Sequence, residues 1–243
     1  MLTISTFSLT RKQQGKKMIK LMNIEQTDKN LTQDLVKIPS ESSNHTATDS
    51  ASPEKKINEV LASFCMTRGV DYELHKVVDD RSNFIAHFPQ KKAPKLLIMA
   101  HTDTVSAQGM PQAFSGSIKD DKIWGRGACD DKGPLAVALS TLTGLQHQKA
   151  KLAFDVTLAA TIDEELSMSG SAALAQKIEA WDLCICLEPT ELKLINAHKG
   201  IHRCKISTKG LAAHSSSPEL GQNAIDAMHS ILSDLQVFEF RLK

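Results

Sequence analysis

Apolar residues recur at helical spacing in the first part of the chain and predict two helices. The segment 23–36 carries apolar positions three and four residues apart, and we expect this helix to stop at Pro39. A polar segment rich in serine and threonine, 40–56, predicts a loop. A second helix is expected directly after the loop, with Gly69 just past its last turn. Its apolar face comprises Ile57, Val60, Leu61 and Phe64.

Strands are predicted where the pattern alternates or where a short run is entirely apolar. The segments 72–78 and 83–89 alternate between apolar and polar residues and predict a pair of strands. A helix with Pro134 at its first position is expected further along the chain. Cys184 and Cys186 are expected in the core, since they lie in a buried strand. Three apolar runs predict such strands, and these are 95–100, 154–161 and 182–187. The alternation of strands and helices predicts an α/β sheet with helices on its faces.

The pattern changes near residue 202 and predicts the first part of a smaller α+β domain. The segment 202–210 alternates and predicts a strand, which is followed by a polar loop. Residues 222–236 place their apolar side chains on one helical face. A further strand is expected to begin at 237.

The composition is that of an ordinary soluble globular protein, with 41% hydrophobic and 23% charged residues. A net charge of +1 gives no reason to expect nucleic acid or an anionic membrane as a partner. No apolar run approaches the roughly 20 residues that a membrane span needs. The five cysteines form no C-x-x-C pair, which predicts reduced thiols and a cytoplasmic protein. The basic segment 1–21 is interpreted as a leader or a mis-assigned start.

Acidic and histidine side chains cluster where the predicted strands end. Ligands collect at the carboxyl edge of an open α/β sheet, so we expect these side chains to share one cleft. Carboxylates gathered in a cleft repel each other, and a divalent metal is the simplest compensating charge. Histidine nitrogen with carboxylate oxygens suits Zn²⁺, with Co²⁺ or Mn²⁺ possible. The clusters are His101 with Asp103, Asp130 with Asp131, Asp163 with Glu164 and Glu165, and Glu188.

The stretch GRGACDDKG, residues 125–133, first suggests a nucleotide-binding glycine loop. However, Asp130 stands where the third glycine of G-x-G-x-x-G belongs, and no long buried strand comes directly before it. A dinucleotide-binding domain is therefore disfavoured. We interpret the glycines as a tight turn that carries the acidic pair Asp130 and Asp131.

Several motifs together resemble the dizinc metallopeptidases and deacylases. This family includes acetylornithine deacetylase, succinyl-diaminopimelate desuccinylase, aminoacylase and a carboxypeptidase and dipeptidase group. The resemblance implies a mixed central sheet with helices on both faces, followed by a lid domain through which subunits form a homodimer. The motifs are AHTDTV, GRGACDDKGP, TIDEE, CLEPT, AHKG and AHSSSPELGQNAI.

The resemblance also implies a role for each site residue and two Zn²⁺ ions per subunit in the full-length protein. Asp130 bridges the two metals, His101 and Glu188 complete the first metal site, and Glu165 belongs to the second. Glu164 is the general base, and Asp103 orients His101. In the family, the histidine that corresponds to His214 reaches the partner subunit's active site and binds the oxyanion. His198 is a candidate substrate-binding residue.

The sequence therefore predicts a metal-dependent hydrolase that removes the acyl group from an N-acyl amino acid with metal-activated water. EPTELKLINAHKGIH with AHSSSPELGQNAI most resembles acetylornithine deacetylase, which implies a role in arginine biosynthesis. GRGACDDKGP, with Asp131 and Pro134, resembles the dipeptidases more, so a dipeptidase is the alternative. An alternative outside the enzymes is an inactive remnant that only dimerises.

The family's second metal site needs a further histidine, and no residue of this chain matches it. We therefore expect the chain to be C-terminally truncated and inactive, or nearly so, by itself. The expected domains are a metal-binding catalytic domain over 22–201, represented by its N-terminal part, and an incomplete lid over 202–243.

Overall fold

The structure is a computed structural model that describes residues 26–42, 52–177, 181–200 and 204–242. The predicted leader or mis-assigned start, 1–21, lies outside the described residues. The chain divides into two compact units, Met1–Lys193 and Leu194–Lys243. The assignment of a catalytic domain up to residue 201 and of a lid after it stays a prediction.

The first unit contains a five-stranded sheet and a separate two-stranded hairpin. The strand order in the sheet is β1-β2-β6-β3-β7. β2 pairs antiparallel with β1 and β6, whereas β3 pairs parallel with β6 and β7, so the sheet is mixed. The strands are β1 (Asp71–Val78), β2 (Arg81–Phe88), β3 (Lys95–His101), β4 (Ser117–Lys119), β5 (Lys122–Trp124), β6 (Asp155–Thr161) and β7 (Leu183–Cys186). β4 and β5 form the hairpin.

Helices cover both faces of the five-stranded sheet. Successive side chains of a strand point to opposite faces, so each face contributes to its own apolar cluster. Phe84 and Phe88 of β2 belong to the large core with α1, α2 and α3. Ile85 points the other way and packs in a second cluster with Leu174 of α4. The predicted α/β class is confirmed. The helices are α1 (helical over 26–36), α2 (Pro53–Met66), α3 (Lys132–His147), α4 (Ser169–Gln176) and α5 (Ala224–Leu242).

Most of the predicted elements are confirmed, with small shifts at their ends. The loop predicted over 40–56 ends early, because α2 already begins at Pro53, where a proline costs no helical hydrogen bond. Residues 43–51 of that loop are outside the described part. α3 begins at Lys132, so Pro134 lies at its third position and not at its first. Gly69 follows α2 with φ +64, as a residue beyond a helix end often does.

Two predicted strands of the last segment are wrong. Residues 204–210 form no strand, and only a single bridge joins Leu211 to Gln222. Residues 237–242 continue α5. A strand without a neighbour leaves its backbone groups unpaired, whereas a continued helix bonds them locally.

β7 is also more exposed than its apolar sequence predicts. It pairs with β3 at one end of the sheet order, and Leu183 and Ile185 are 47% and 42% exposed. The expectation that Cys184 and Cys186 lie in the core is wrong, because this edge position leaves both exposed. Among the described residues, no helix has the length and apolar character to cross a bilayer.

Candidate metal centre

Three neighbouring parallel strands bring the candidate ligands to one edge of the sheet. His101 is the last residue of β3, and Glu164 and Glu165 follow β6. Glu188 comes two residues after β7. Asp130 and Asp131 lie in the turn that leads into α3, and the peptide bond between them is cis. The sheet topology therefore gathers three of the four predicted clusters, as expected for carboxyl ends of parallel strands, and the turn before α3 adds Asp130 and Asp131.

The imidazole of His101 is buried and lies between carboxylates on both sides. Its Nε2 lies 2.8 Å from Asp130 Oδ1 and 4.0 Å from Glu188 Oε1. Its Nδ1 lies 2.9 Å from the backbone oxygen of Asp103 and 3.6 Å from Asp103 Oδ1. Burial lowers the pKa of His101, but the hydrogen bonds with Asp103 and the charge of Asp131 outweigh it and raise the pKa to about 10. A ring with Nδ1–H directed at Asp103 leaves Nε2 free for a metal.

Two groups of donor atoms around His101 have the composition of a divalent metal site. In each group, one ligand atom per residue lies within 4.8 Å of the others. Imidazole nitrogen with carboxylate oxygens is a donor set that Zn²⁺ and related metals accept. The groups are His101, Asp130 and Glu165, and His101, Asp131 and Glu188.

Asp131, to which the family resemblance assigns no ligand role, belongs to one of these donor groups. Its side chain is fully buried, and Oδ2 accepts a hydrogen bond from the backbone N–H of His101 at 3.2 Å. Oδ1 is buried without a hydrogen-bond partner within the described part of the chain. Burial raises the pKa of Asp131 to about 8. A buried carboxylate oxygen that lacks a donor is well suited to a cation.

The three glutamate carboxylates of the site also lie where their negative charge is unfavourable. Burial raises the pKa values of Glu164, Glu165 and Glu188, and the neighbouring carboxylates raise them further. His101 only partly offsets these effects. A bound divalent cation reverses this balance because it attracts every carboxylate around it. The residues present therefore fit a divalent metal.

Asp103 connects His101 to the loop that carries the two glutamates. Its carboxylate is fully buried and accepts hydrogen bonds from the backbone N–H of Glu164 at 3.0 Å and of Glu165 at 3.1 Å. The hydroxyl of Ser42 donates to the same carboxylate. Burial raises the pKa of Asp103, but the nearby ring of His101 and the hydrogen bonds from Ser42 and the two amides outweigh it, so the pKa is lowered. Asp103 therefore stays ionised and fixes the imidazole and the glutamates relative to each other.

The glycine turn before α3 is too tight for other residues. Gly127 has φ +84, and a Cβ there would lie 2.8 Å from Lys132 Cδ. A Cβ on Gly133 would lie 2.1 Å from the backbone oxygen of Ala128. The backbone N–H of Lys132 donates to Gly127 O at 3.0 Å and closes the turn. Cys129, directly before Asp130 in this turn, is exposed.

His198 and His214 both lie in the second unit, Leu194–Lys243. Both side chains are exposed. His198 Nδ1 lies 3.1 Å from the backbone oxygen of Lys199, and His214 Nδ1 lies 2.8 Å from Ser216 Oγ. Their predicted substrate and oxyanion roles stay predictions.

Comparison with known proteins settles the family. The model of peptidase family M20/M25/M40 matches residues 97–239. The chain belongs to this family. Its match covers the strands and turns that carry His101, Asp130, Glu165 and Glu188. Family M20 consists of metal-dependent hydrolases, in agreement with the donor groups around His101.

Relatives with two different names are similar to this M20 chain. It is 34% identical over 207 residues to acetylornithine deacetylase of Edwardsiella ictaluri, a match that covers 83% of this chain and 53% of the relative. It is 32% identical over 218 residues to a protein of Staphylococcus epidermidis named probable succinyl-diaminopimelate desuccinylase, with 87% and 51% covered. The chain thus spans about half the length of the curated relatives it matches.

Solved M20 structures share the fold. A tripeptidase from Staphylococcus aureus superposes with a TM-score of 0.61 at 21% identity, covering 86% of this chain and 56% of that one. Human carnosine dipeptidase 1 gives a TM-score of 0.56 at 15% identity, with 70% and 40% covered. At these identities the likeness concerns the fold alone.

Proposed function

We propose that the full-length protein is an amide hydrolase that removes an acyl group from an N-acyl amino acid, with N-acetylornithine as the favoured substrate. The observation that carries this proposal is the pair of donor groups around His101, with Glu164 directly beside the ligand Glu165. Supporting it, the chain is 34% identical to an acetylornithine deacetylase.

In this proposal His101, Asp130, Glu165 and Glu188 would hold two Zn²⁺ ions, with Asp130 serving as a ligand of both. When bound, the metals polarise the amide carbonyl and lower the pKa of water. Asp131 lies in one of the two donor groups, and a cation bound there would favour the ionised form of its buried carboxyl group, whose pKa is otherwise raised.

Glu164 is the general base of the proposed reaction. Its backbone N–H is held by Asp103 Oδ1 at 3.0 Å, while its side chain is half-buried at the same edge of the sheet as the ligands. Burial raises its pKa, and a raised carboxylate pKa favours removal of a proton from the attacking water and its later return to the leaving amine. Asp103 keeps the imidazole of His101 in the tautomer that presents Nε2.

The second unit supplies the remaining proposed roles. His214 would bind the oxyanion in the partner subunit of a homodimer, and His198 would contact substrate. Both side chains are exposed and therefore available for such contacts. A cytoplasmic location also stays a proposal.

A dipeptidase of the same family is the second candidate, favoured by Asp131 in the acidic pair of the glycine turn. A panel of N-acetylornithine, N-succinyl-diaminopimelate, carnosine and simple dipeptides, offered to the full-length zinc-loaded protein, separates the candidates. We expect the highest kcat/KM with N-acetylornithine. Preferential hydrolysis of a dipeptide would contradict this substrate assignment and support the second candidate.

Zinc binding tests the site independently of substrate. We expect Asp130→Ala to reduce the bound zinc measured by mass spectrometry. The control Glu191→Gln removes an exposed carboxylate that pairs with Lys193, and should leave zinc unchanged. Trace zinc in the unaltered protein, with no loss in Asp130→Ala, would instead support a remnant that only dimerises.

A further inference from the structure

Behind the two glutamates lies a buried cluster of three charged side chains, Glu54 of α2, Arg81 of β2 and Asp163. Their side chains are 2%, 14% and 5% exposed, respectively. Arg81 Nη2 donates to Glu54 Oε1 and lies 3.4 Å from Asp163 Oδ1. One guanidinium thus pairs with two buried carboxylates, and both carboxylates raise its pKa against the effect of burial. Removing this cation would leave two buried anions uncompensated.

Asp163 in turn organises the loop that follows β6. Its Oδ2 accepts hydrogen bonds from the hydroxyls of Ser167 and, at 2.7 Å, of Ser169. Its backbone oxygen accepts a hydrogen bond from the N–H of Met168 at 2.6 Å. Its backbone has φ +63, a left-handed conformation that aspartate tolerates better than most residues. The loop therefore closes around the Asp163 carboxylate and carbonyl.

The Glu164–Glu165 pair is consequently held from two sides. Asp103 binds the two backbone N–H groups on the metal side, and Asp163, anchored by Arg81, binds the loop from behind. We propose that Arg81 is a positioning residue, which acts through Asp163 to set where the carboxylates of Glu164 and Glu165 lie. This inference rests on the proposed function, in which those carboxylates serve as base and ligand.

Variants of Arg81 and Asp163 separate positioning from mere support of the fold. Asp163→Asn keeps the shape of the side chain but removes its charge, and Arg81→Gln removes the cation. We expect both to weaken Zn²⁺ binding by about 10- to 100-fold, the effect usual for residues that orient metal ligands. Competition with a chromogenic chelator measures this affinity on folded, full-length protein. Arg81→Lys, which keeps the charge but not the planar fork, should lie between the wild type and Arg81→Gln.

Hydrogen exchange provides a second measurement that needs neither metal nor activity. The amides of Glu164 and Glu165, which donate to Asp103, should exchange faster in Asp163→Asn than in the wild type. Lys177→Gln is the matched control, since it breaks the exposed ion pair between Lys177 and Glu73. It should change neither zinc affinity nor exchange at these two amides.

The outcomes distinguish this inference from the proposed function. Folded Asp163→Asn with wild-type zinc affinity and wild-type exchange at both amides would overturn the positioning role, even if its Tm fell. If Arg81→Gln does not fold, Asp163→Asn decides by the same two measurements. If the wild-type protein takes up no zinc, the proposed function fails and exchange decides alone. Faster exchange then supports the positioning role, and unchanged exchange overturns it.

Discussion

Replacing Gly133 with alanine tests how closely α3 must pack against the turn that carries Asp130. The added Cβ would lie 2.1 Å from the backbone oxygen of Ala128, whereas carbon atoms in good contact are roughly 3.5 Å from their neighbours. The obstacle is backbone, so α3 or the turn must move by more than about 1 Å. Overpacking of this kind costs up to about 3 kcal/mol.

Helix propensity acts in the opposite direction at this position. Gly133 is the second residue of α3, where alanine in place of glycine favours the helix by up to about 1 kcal/mol. The clash is the larger effect, so we expect a net loss of about 2 kcal/mol in the free energy of unfolding. For a chain of this size the Tm should fall by about 4–8 °C. Zinc affinity should fall as well, because the displaced turn holds Asp130.

Thermal unfolding followed by circular dichroism, with and without a chelator, measures the change. Val137→Ala is the control, because it places an alanine in the same helix at a position where the native side chain is 49% exposed. Its free energy of unfolding should stay within about 0.5 kcal/mol of the wild type. A Gly133→Ala protein as stable as the wild type, or more stable, would refute the close contact between helix and turn.

Two further predictions concern the core and the cysteines. Leu139→Ala, at a fully buried position of α3, should lower the free energy of unfolding in urea by about 2–5 kcal/mol, and a loss below that of Val137→Ala would contradict the burial. Burial raises the pKa of Cys65 from 9.0 to about 12 against the opposing charge of Arg68, so its thiol should resist thiol reagents at pH 8 while exposed Cys129 reacts. The pKa of the Cys65 thiol is higher in the folded than in the unfolded protein. The stabilising effect of its protonated form is therefore complete below pH 9 and is lost as the pH rises toward 12. Between pH 8 and pH 10, the free energy of unfolding measured in urea should fall less for Cys65→Ala than for the wild type. An equal fall in both proteins would contradict the raised pKa.

The sequence carried a strong signal for the metal centre because its residues follow strands. Parallel strands align their carboxyl ends, so the sequence alone predicts that His101, Glu165 and Glu188 lie together. The buried strands β3 and β6 were equally clear from their apolar runs. The catalytic and ligand roles of these residues still depend on the experiments proposed above.

Other features left no local signal in the sequence. Arg81 and Asp163 are 82 positions apart, and their pairing follows from the packing of α2 and β2 behind the loop. Asp130 and Asp131 are adjacent and chemically identical, yet only Asp131 is fully buried. The apolar residues of 237–242 suit either a strand or a helix, and the absence of a pairing strand in the described 204–210 decides for the helix.

The exposed position of β7 has a practical consequence for work with this chain. Beyond its pairing with β3, the described residues give β7 no second strand partner, and such an edge can pair with a strand of another molecule. The same strand exposes the thiol of Cys186, which air can oxidise into a cross-link between molecules paired in this way. Disulfide-linked species on a non-reducing gel would then mimic a dimer formed through the second unit. Measurements of oligomeric state therefore require a reducing agent throughout, and dilution should dissociate edge-paired aggregates before a specific dimer.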